Sequence, residues 1–205
     1  MNDTMKTLIE ARISVNHYDT TRDISDEQLA ELVRLSTLAP SAYNFQNWKF
    51  IAIRTVDAKA RLKTVCYGQQ KVVDAAVTYI ICGKLAAHKG LPDALRPSVE
   101  AGMLNQSVYE SWIAAACRAH EGNEQLQRDE AMRSASLAAM TLMLAAQGMG
   151  LSSGSMSGFD ASALAQEFGL APDELPVILV TVGYTTEGNW PQKLRKPVHE
   201  VLTFA

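Results

Sequence analysis

The most informative part of this chain is the stretch Ala39-Pro40-Ser41-Ala42-Tyr43-Asn44-Phe45-Gln46-Asn47-Trp48. Pro40 ends the amphipathic helical pattern before it, because the residue preceding a proline disfavours the α region. A strand is predicted directly afterwards, from Trp48 to Ile53. Between the two, amide side chains offer both a donor and an acceptor, and aromatic rings offer flat apolar surface. The stretch favours binding of a planar, uncharged heteroaromatic ring. The alternative is a polar loop in which Trp48 anchors the core.

The composition is that of an ordinary globular protein, with 47% hydrophobic and 20% charged residues in a chain of 205. This length favours one domain over residues 1–205 with a sizeable core. A net charge of −3 argues against a nucleic-acid binder. Three cysteines, Cys66, Cys82 and Cys117, are widely spaced and odd in number, which indicates buried free thiols in a reducing compartment. The histidines are isolated from one another, so no metal site is predicted.

Nothing in the sequence indicates targeting to or through a membrane. Residues 1–10 are polar and alternate in charge, without the pattern of a signal peptide. Apolar runs stay well short of the ~20 residues needed to span a bilayer. A cytoplasmic protein without a membrane partner is therefore expected.

Hydrophobic periodicity predicts a helix-rich chain with a few strands. A capping box opens a helix at Ser25, and a β-branched run at 77–82 predicts a strand covered on both faces. The other predicted elements are helices at 5–12, 57–65, 99–120 and 129–147, an irregular segment at 84–97, and a final strand at 175–184. This order favours a mixed sheet with helices on both faces. The helix at 129–147 is apolar on nearly every side, which indicates burial in a core or against a second subunit.

A serine hydrolase is a distant alternative, because residues 150–154 match the pattern G-x-S-x-G. Ser152 would be the nucleophile, with Asp160 or Asp173 and then His199 in the required order. That nucleophile must lie between a strand and a helix, whereas here a long helix precedes it. A dinucleotide loop beginning at Gly148 fails for the same reason, since such a loop follows a strand.

Separate segments share the chemistry of a phosphate site and a ring site. Arg12 and Ser14 end the first helix, and residues 193–196 concentrate positive charge in an acidic chain. Cationic side chains with a serine hydroxyl suit a phosphate. The small residues of 155–160 allow close approach of the backbone to a ligand. With the amides of 41–46, these segments favour a mononucleotide-like cofactor. The alternatives are a solvated tail and an ordinary surface charge at Arg12.

Taken together, these segments resemble the nitroreductase family of flavin enzymes. The blocks are spread over nearly the whole chain outside residues 84–128, which are interpreted as a variable helical excursion. Three positions depart from the family pattern: Asn16 replaces a basic residue, and Asn47 and Ser155 replace prolines. The resemblance lies in Arg12-Ile13-Ser14-Val15-Asn16, in residues 39–48, in residues 67–75, in Ser155-Met156-Ser157-Gly158-Phe159-Asp160 and in Lys193-Leu194-Arg195.

The resemblance implies an α+β three-layer sandwich with a mixed central sheet, assembled as an intertwined homodimer with FMN at the interface. It also implies where the cofactor binds. Residues assigned to the phosphate are Arg12, Ser14, Lys193 and Arg195. Residues assigned to the ribityl chain and ring are Ser41, Asn44, Gln46 and Gln69, with the backbone of Ser157 and Gly158 near flavin N5. Further cofactor-binding positions in the same blocks are Ile13, Asn16, Pro40 and Met156.

The implied chemistry is ping-pong transfer of a hydride from NADH or NADPH through flavin N5 to a small-molecule acceptor. That acceptor would be a nitroaromatic, a quinone or an enone. The flavin performs the reaction, so no catalytic side chain and no metal are required. The rival hypothesis is a flavin-binding or sensing protein without useful turnover.

Overall fold

The structure, a computed structural model, describes residues 3–205. Met1 and Asn2, which belong to the N-terminal stretch analysed for a signal peptide and to the predicted domain, lie outside the described residues. The helices are α1 Asp3–Ala11, α2 Asp26–Ser36, α3 Val56–Val65, α4 Lys71–Asp74, α5 Ala87–Glu100, α6 Gln106–His120, α7 Glu124–Gly148, α8 Ala161–Glu167 and α9 Val198–Val201. The strands are β1 Trp48–Ile53, β2 Val77–Lys84, β3 Ser152–Met156 and β4 Glu174–Gly183, and a 3₁₀ turn spans Ala42–Asn44.

The four strands form one sheet in the order β1-β2-β4-β3. All three neighbouring pairs are antiparallel, which corrects the prediction of a mixed sheet. The end of β1 pairs with the start of β2, Ile53 opposite Thr78. Helices α3 and α4 together return the chain to the sheet end at which β1 finishes, so β2 enters in the opposite direction. The parallel pairing in the structure is one isolated bridge between Ser14 and Ser153.

Helices cover both faces of the sheet, which confirms the three-layer α+β arrangement. On one face, Tyr79 and Val180 pack with α7 and with Leu32 of α2. On the other, Ile80 packs with α3, α4 and α8. Residues 77–83 of β2 are all buried, as the continuous β-branched run predicts. Among residues 3–205, no helix has both the length and the apolar character needed to cross a membrane.

Strand β3 was not predicted, because Ser152–Met156 contains small residues with little strand preference. Packing explains why small residues are needed there. The Val15 N–H donates to Ser153 O at 3.1 Å, and a Cβ on Gly154 would lie 2.5 Å from Val15 O. Only a glycine permits this approach, so the residues that weaken the strand pattern also allow the N-terminal segment to reach the sheet.

In the segment 84–128, the first helix begins at Ala87, before the predicted start at residue 99. The predicted irregular stretch 84–97 is largely α5, which contains Pro92 and Pro97. Its buried face, with His88, Leu91 and Leu95, packs against α6. The free energy gained by burying this face exceeds the cost of the backbone hydrogen bonds that the prolines remove. The predicted helix at 99–120 is in fact divided at residues 101–105, and α7 begins at Glu124, before the expected residue 129.

Two of the three cysteines are buried as predicted, whereas Cys117 is only half-buried. Burial raises the pKa of both the Cys66 and the Cys82 thiols to about 11. These thiols are therefore protonated near neutral pH and act as small apolar side chains in the core.

Candidate functional site

One edge of the sheet is extended by the segment after α1. Ser14 pairs with Ser153 in a parallel bridge, and the Val15 side chain is buried with Tyr18 and Ala75. Because side chains alternate along extended backbone, Ser14 faces away from the core, and it is exposed. Arg12 and Asn16, two residues on either side, are half-exposed. This local geometry presents two predicted phosphate-binding residues, Arg12 and Ser14, and the predicted cofactor-binding residue Asn16 along one open edge.

The C-terminal segment reaches the same place. A cavity of about 60 Å³ is lined by Ser14, Pro191, Gln192, Lys193 and Arg195. Gln192 Nε2 donates to Arg12 O at 3.0 Å, and Arg195 Nη2 donates to Gln192 Oε1 at 3.0 Å. The structure therefore brings together predicted phosphate-binding residues from opposite ends of the chain.

The cations at this site lack counter-ions. Within residues 3–205, no carboxylate lies within 4.0 Å of the charged nitrogens of Arg12, Lys193 or Arg195. Lys193 Nζ instead lies 4.8 Å from the centroid of the Trp190 ring. Like charges gathered without carboxylates repel one another, so this arrangement favours an anionic ligand.

A second part of the site joins Gln69 to the loop after β3. Gln69 Nε2 donates to Gly158 O at 2.8 Å, and a Cβ on Gly158 would lie 2.9 Å from that nitrogen. A side chain at residue 158 would therefore displace the amide end of Gln69, which the hydrogen bond holds beside the loop. Ser157 is exposed, whereas the Met156 side chain is buried in the core, so Met156 could contact a ligand only through its backbone.

The predicted ring-binding residues lie apart from the phosphate group. Pro40 and Ser41 line a cavity of about 480 Å³ beside α7, together with Ser134 and Leu137. Gln46 lines another cavity of about 350 Å³. No hydrogen bond within residues 3–205 links Pro40, Ser41, Asn44 or Gln46 to Arg12, Ser14, Lys193 or Arg195. In one chain, the predicted site residues therefore form three groups: the residues at the phosphate cavity, Gln69 with the loop at 157–158, and residues 40–46.

The stretch predicted to bind the ring has a strained backbone. Tyr43, Asn44 and Gln46 have φ angles of +52°, +59° and +49°, a region that residues other than glycine rarely adopt. Ser41 Oγ accepts from the Gln46 N–H at 2.9 Å and helps to hold this conformation. Tyr67, two residues before Gln69, also has a positive φ of +53°. Such outliers cluster at binding sites, where surrounding structure maintains them, so both segments are candidates for ligand contact.

The serine hydrolase alternative lacks its structural context. Ser152 opens strand β3, and helix α7 precedes it. This order is the reverse of the strand–turn–helix that exposes a nucleophilic serine. Asp160 instead caps α8, accepting from the Ala163 N–H at 2.9 Å.

Comparison with known proteins identifies the family. A model described as "Nitroreductase family" matches residues 9–184. The chain belongs to the nitroreductase family. It is 33% identical over 197 residues to a Bacillus subtilis (strain 168) protein provisionally named NAD(P)H nitroreductase YodC, covering 96% of each chain. The family prediction made from the separate sequence blocks is confirmed.

Solved nitroreductase structures have the same fold. A Bacillus subtilis protein provisionally described as nitroreductase YdfN superimposes with a TM-score of 0.94 at 31% identity, covering 100% of each chain. A provisionally assigned nitroreductase of Exiguobacterium sibiricum 255-15, solved in complex with FMN, gives a TM-score of 0.91 at 26% identity. It covers 98% of this chain and 97% of its own.

Two side chains that contact the site were missed by sequence reasoning, Asn189 and Gln192. Both lie in a polar tail without periodicity, and their partners are about 170 to 180 residues away in sequence. No local pattern could indicate these contacts.

Proposed function

We propose that this protein is an FMN-dependent oxidoreductase that uses NADH or NADPH to reduce a small nitroaromatic, quinone or enone acceptor. Family membership and the nitroreductase relatives support this class of reaction. The observation within the chain that supports it best is the convergence of Ser14, Lys193 and Arg195 around one small cavity, with the Arg12 carbonyl bonded to Gln192 of its lining.

The residues at this cavity fit the phosphate of FMN. Lys193 and Arg195 line the cavity, and Arg12 is bonded to its lining through its backbone carbonyl. None of these three cations has a carboxylate partner among the described residues, so their side chains are available for charge-assisted hydrogen bonds, which are stronger than neutral ones. The exposed hydroxyl of Ser14 adds a neutral donor. We assign the phosphate to these four residues, with Ile13 and Asn16 supporting the same extended segment.

The ring end of the cofactor is assigned to the second part of the site. Gln69 offers an amide side chain, and the contact at Gly158 brings the backbone of the loop close to it. When bound, FMN supplies the two-electron chemistry between NAD(P)H and the acceptor. The side chains of this protein bind and orient the cofactor, and we assign none of them as a general acid or base.

We further propose that a second copy of the chain completes each site. Pro40, Ser41 and Leu137 line a cavity separate from the phosphate group, so one chain would hold the phosphate and the other would contact the ring. Leu137 and Met140 leave an exposed apolar face on α7, and Phe204 is exposed in the C-terminal segment. Exposed apolar surface of this kind is typical of obligate interfaces.

The edge of the sheet is consistent with an intertwined dimer. Strand β1 pairs only with β2 among the described residues, which leaves its outer edge open. Open edges are usually covered, and the exposed segment from Val198 to Phe204 is apolar enough to cover one. We assign this segment to contact with the partner subunit.

The test is titration of FMN and riboflavin into cofactor-free protein, with wild type, Arg195→Ala and Arg96→Ala. Hydrogen bonds to charged groups contribute about 1.5–3 kcal/mol each, so Arg195→Ala should weaken FMN binding roughly ten- to a hundred-fold. Riboflavin lacks the phosphate and should bind both forms alike. Arg96 is an exposed arginine on α5, away from the cavity, and its removal should change neither affinity. Equal loss of FMN and riboflavin binding in Arg195→Ala would refute the phosphate assignment.

A further inference from the structure

The side-chain amide of Asn189 connects the C-terminal segment to the segment after α1. Its Oδ1 accepts from the Asn16 N–H at 2.7 Å and from the His17 N–H at 3.0 Å. Its Nδ2 donates to His17 O at 2.9 Å. The same nitrogen also lies within hydrogen-bond distance of Thr185 Oγ1 and Thr186 O, at 2.9 and 3.1 Å. Both ends of the amide are therefore bonded, and one side chain joins two distant segments.

Asn189 and then Gln192 are the last attachments to an earlier segment before the cationic residues. Upstream of Asn189, the Asp19 N–H donates to Tyr184 O at 2.8 Å, and Tyr18 pairs with Thr185 in an antiparallel bridge. Downstream, among residues 190–205 of the described chain, the one hydrogen bond to an earlier segment runs from Gln192 Nε2 to Arg12 O. Lys193 and Arg195 follow within a few residues, on backbone that is exposed.

This placement determines how much order the phosphate site has before any ligand binds. A loose tail would have to be immobilised as the phosphate arrives, and that ordering would reduce the affinity. With Asn189 bonded to Asn16 and His17, the tail instead starts beside Ser14. Gln192 then connects Arg12 to Arg195. Its Oε1 accepts from the Arg195 guanidinium, and its Nε2 donates to the Arg12 carbonyl.

We propose that Asn189, assisted by Gln192, is a positioning residue that assembles the phosphate end of the cofactor site in advance. This inference rests on the proposed function, because it concerns the FMN phosphate. Asn189 itself contacts backbone and a threonine hydroxyl, and it acts on the ligand through the position of Arg195.

The test is a double-mutant cycle with Asn189→Ala, Arg195→Ala and the double variant, titrated with FMN and with riboflavin. Asn189→Ala should weaken FMN binding about ten-fold and riboflavin binding less than two-fold. Arg195→Ala should cost much less FMN affinity in the Asn189→Ala background than in wild type, because the arginine is no longer held in place. Asn105→Ala is the matched control. It removes an asparagine that accepts from the Val108 N–H at the start of α6, so it should affect stability alone.

Hydrogen–deuterium exchange of the cofactor-free protein gives an independent readout. The amides of Asn16 and His17 should exchange faster in Asn189→Ala than in wild type and Asn105→Ala. If Asn189→Ala does not fold, Gln192→Ala replaces it in the cycle, with the same expected loss of FMN relative to riboflavin.

Additive effects in the cycle, or an FMN affinity within two-fold of wild type in Asn189→Ala, would overturn the positioning role. A wild-type protein that binds FMN and riboflavin equally would refute the proposed function and the positioning role together. If wild type binds both ligands equally and the Asn16 and His17 amides still exchange faster in Asn189→Ala, the Asn189 contact is purely structural. Failure of the positioning role is thus distinguishable from failure of the proposed function.

Discussion

Replacing Gly154 with alanine should separate the segment after α1 from the sheet. The new Cβ would lie 2.5 Å from Val15 O, 3.1 Å from Thr181 Oγ1 and 3.4 Å from Tyr18 Oη. The nearest of these atoms belongs to the backbone, so it cannot rotate away. Restoring an ordinary contact of 3.4 Å requires the two strands to move apart by about 0.9 Å.

That movement has a cost that can be estimated. Overpacking a well-packed site costs about 1–3 kcal/mol. The Val15 N–H to Ser153 O bond, 3.1 Å long in the structure, would lengthen beyond hydrogen-bond range, which adds about 0.5–1.5 kcal/mol. Gly154→Ala should therefore lower the free energy of unfolding by roughly 2–4 kcal/mol. For a protein of this size, Tm should fall by about 5–15 °C.

Urea and thermal unfolding of the cofactor-free protein measure this effect, with Gly90→Ala as the control. Gly90 lies within α5, and a Cβ there would meet nothing within 4 Å. Gly90→Ala should be neutral or raise stability by about 0.5–1 kcal/mol, since alanine favours a helix over glycine. A Gly154→Ala variant whose free energy of unfolding lies within about 0.5 kcal/mol of wild type would refute the argument, because changes that small are typical of surface substitutions and not of a close contact in the core.

Three further predictions concern other parts of the molecule. Glu174 is buried, which would raise its pKa, but bonds from Lys49 Nζ at 2.7 and 2.8 Å and from the Ala171 N–H bring that pKa below its usual range. Its contribution to stability is therefore complete above about pH 5, begins to fall near the ordinary carboxyl pKa of ~4.3, and is lost as the pH falls on through the lowered pKa of the folded state. Glu174→Gln should make unfolding less dependent on pH between 3 and 5 in urea titrations, and an unchanged slope would contradict this. Ser152→Ala should retain NAD(P)H oxidation within a few-fold of wild type, whereas loss of an esterase activity would revive the hydrolase hypothesis. Leu137→Lys places a charge on the exposed apolar face of α7 and should yield monomers in sedimentation at micromolar concentration; a persistent dimer would place the interface elsewhere.

Local patterns in the sequence predicted the elements whose causes are local. The capping box at Ser25 is present: Ser25 Oγ accepts from the Gln28 N–H, and Gln28 Oε1 accepts from the Ser25 N–H. Strand β1 spans the predicted residues 48–53, and the β-branched run at 77–82 lies within β2. The family was also predictable, because short blocks keep their order and spacing even where no block is decisive alone.

Tertiary contacts decided the remaining elements, because the interactions that stabilise them are made with residues distant in the sequence. Ser152–Met156 becomes a strand only because Val15 and β4 pair with it, and α5 tolerates two prolines because its apolar face is buried on α6. The Asn189 contact has the same origin: an isolated asparagine in a polar tail carries no periodic signal, yet its amide bonds to backbone 172 and 173 residues away. Loop closure over such a separation is a property of the folded chain.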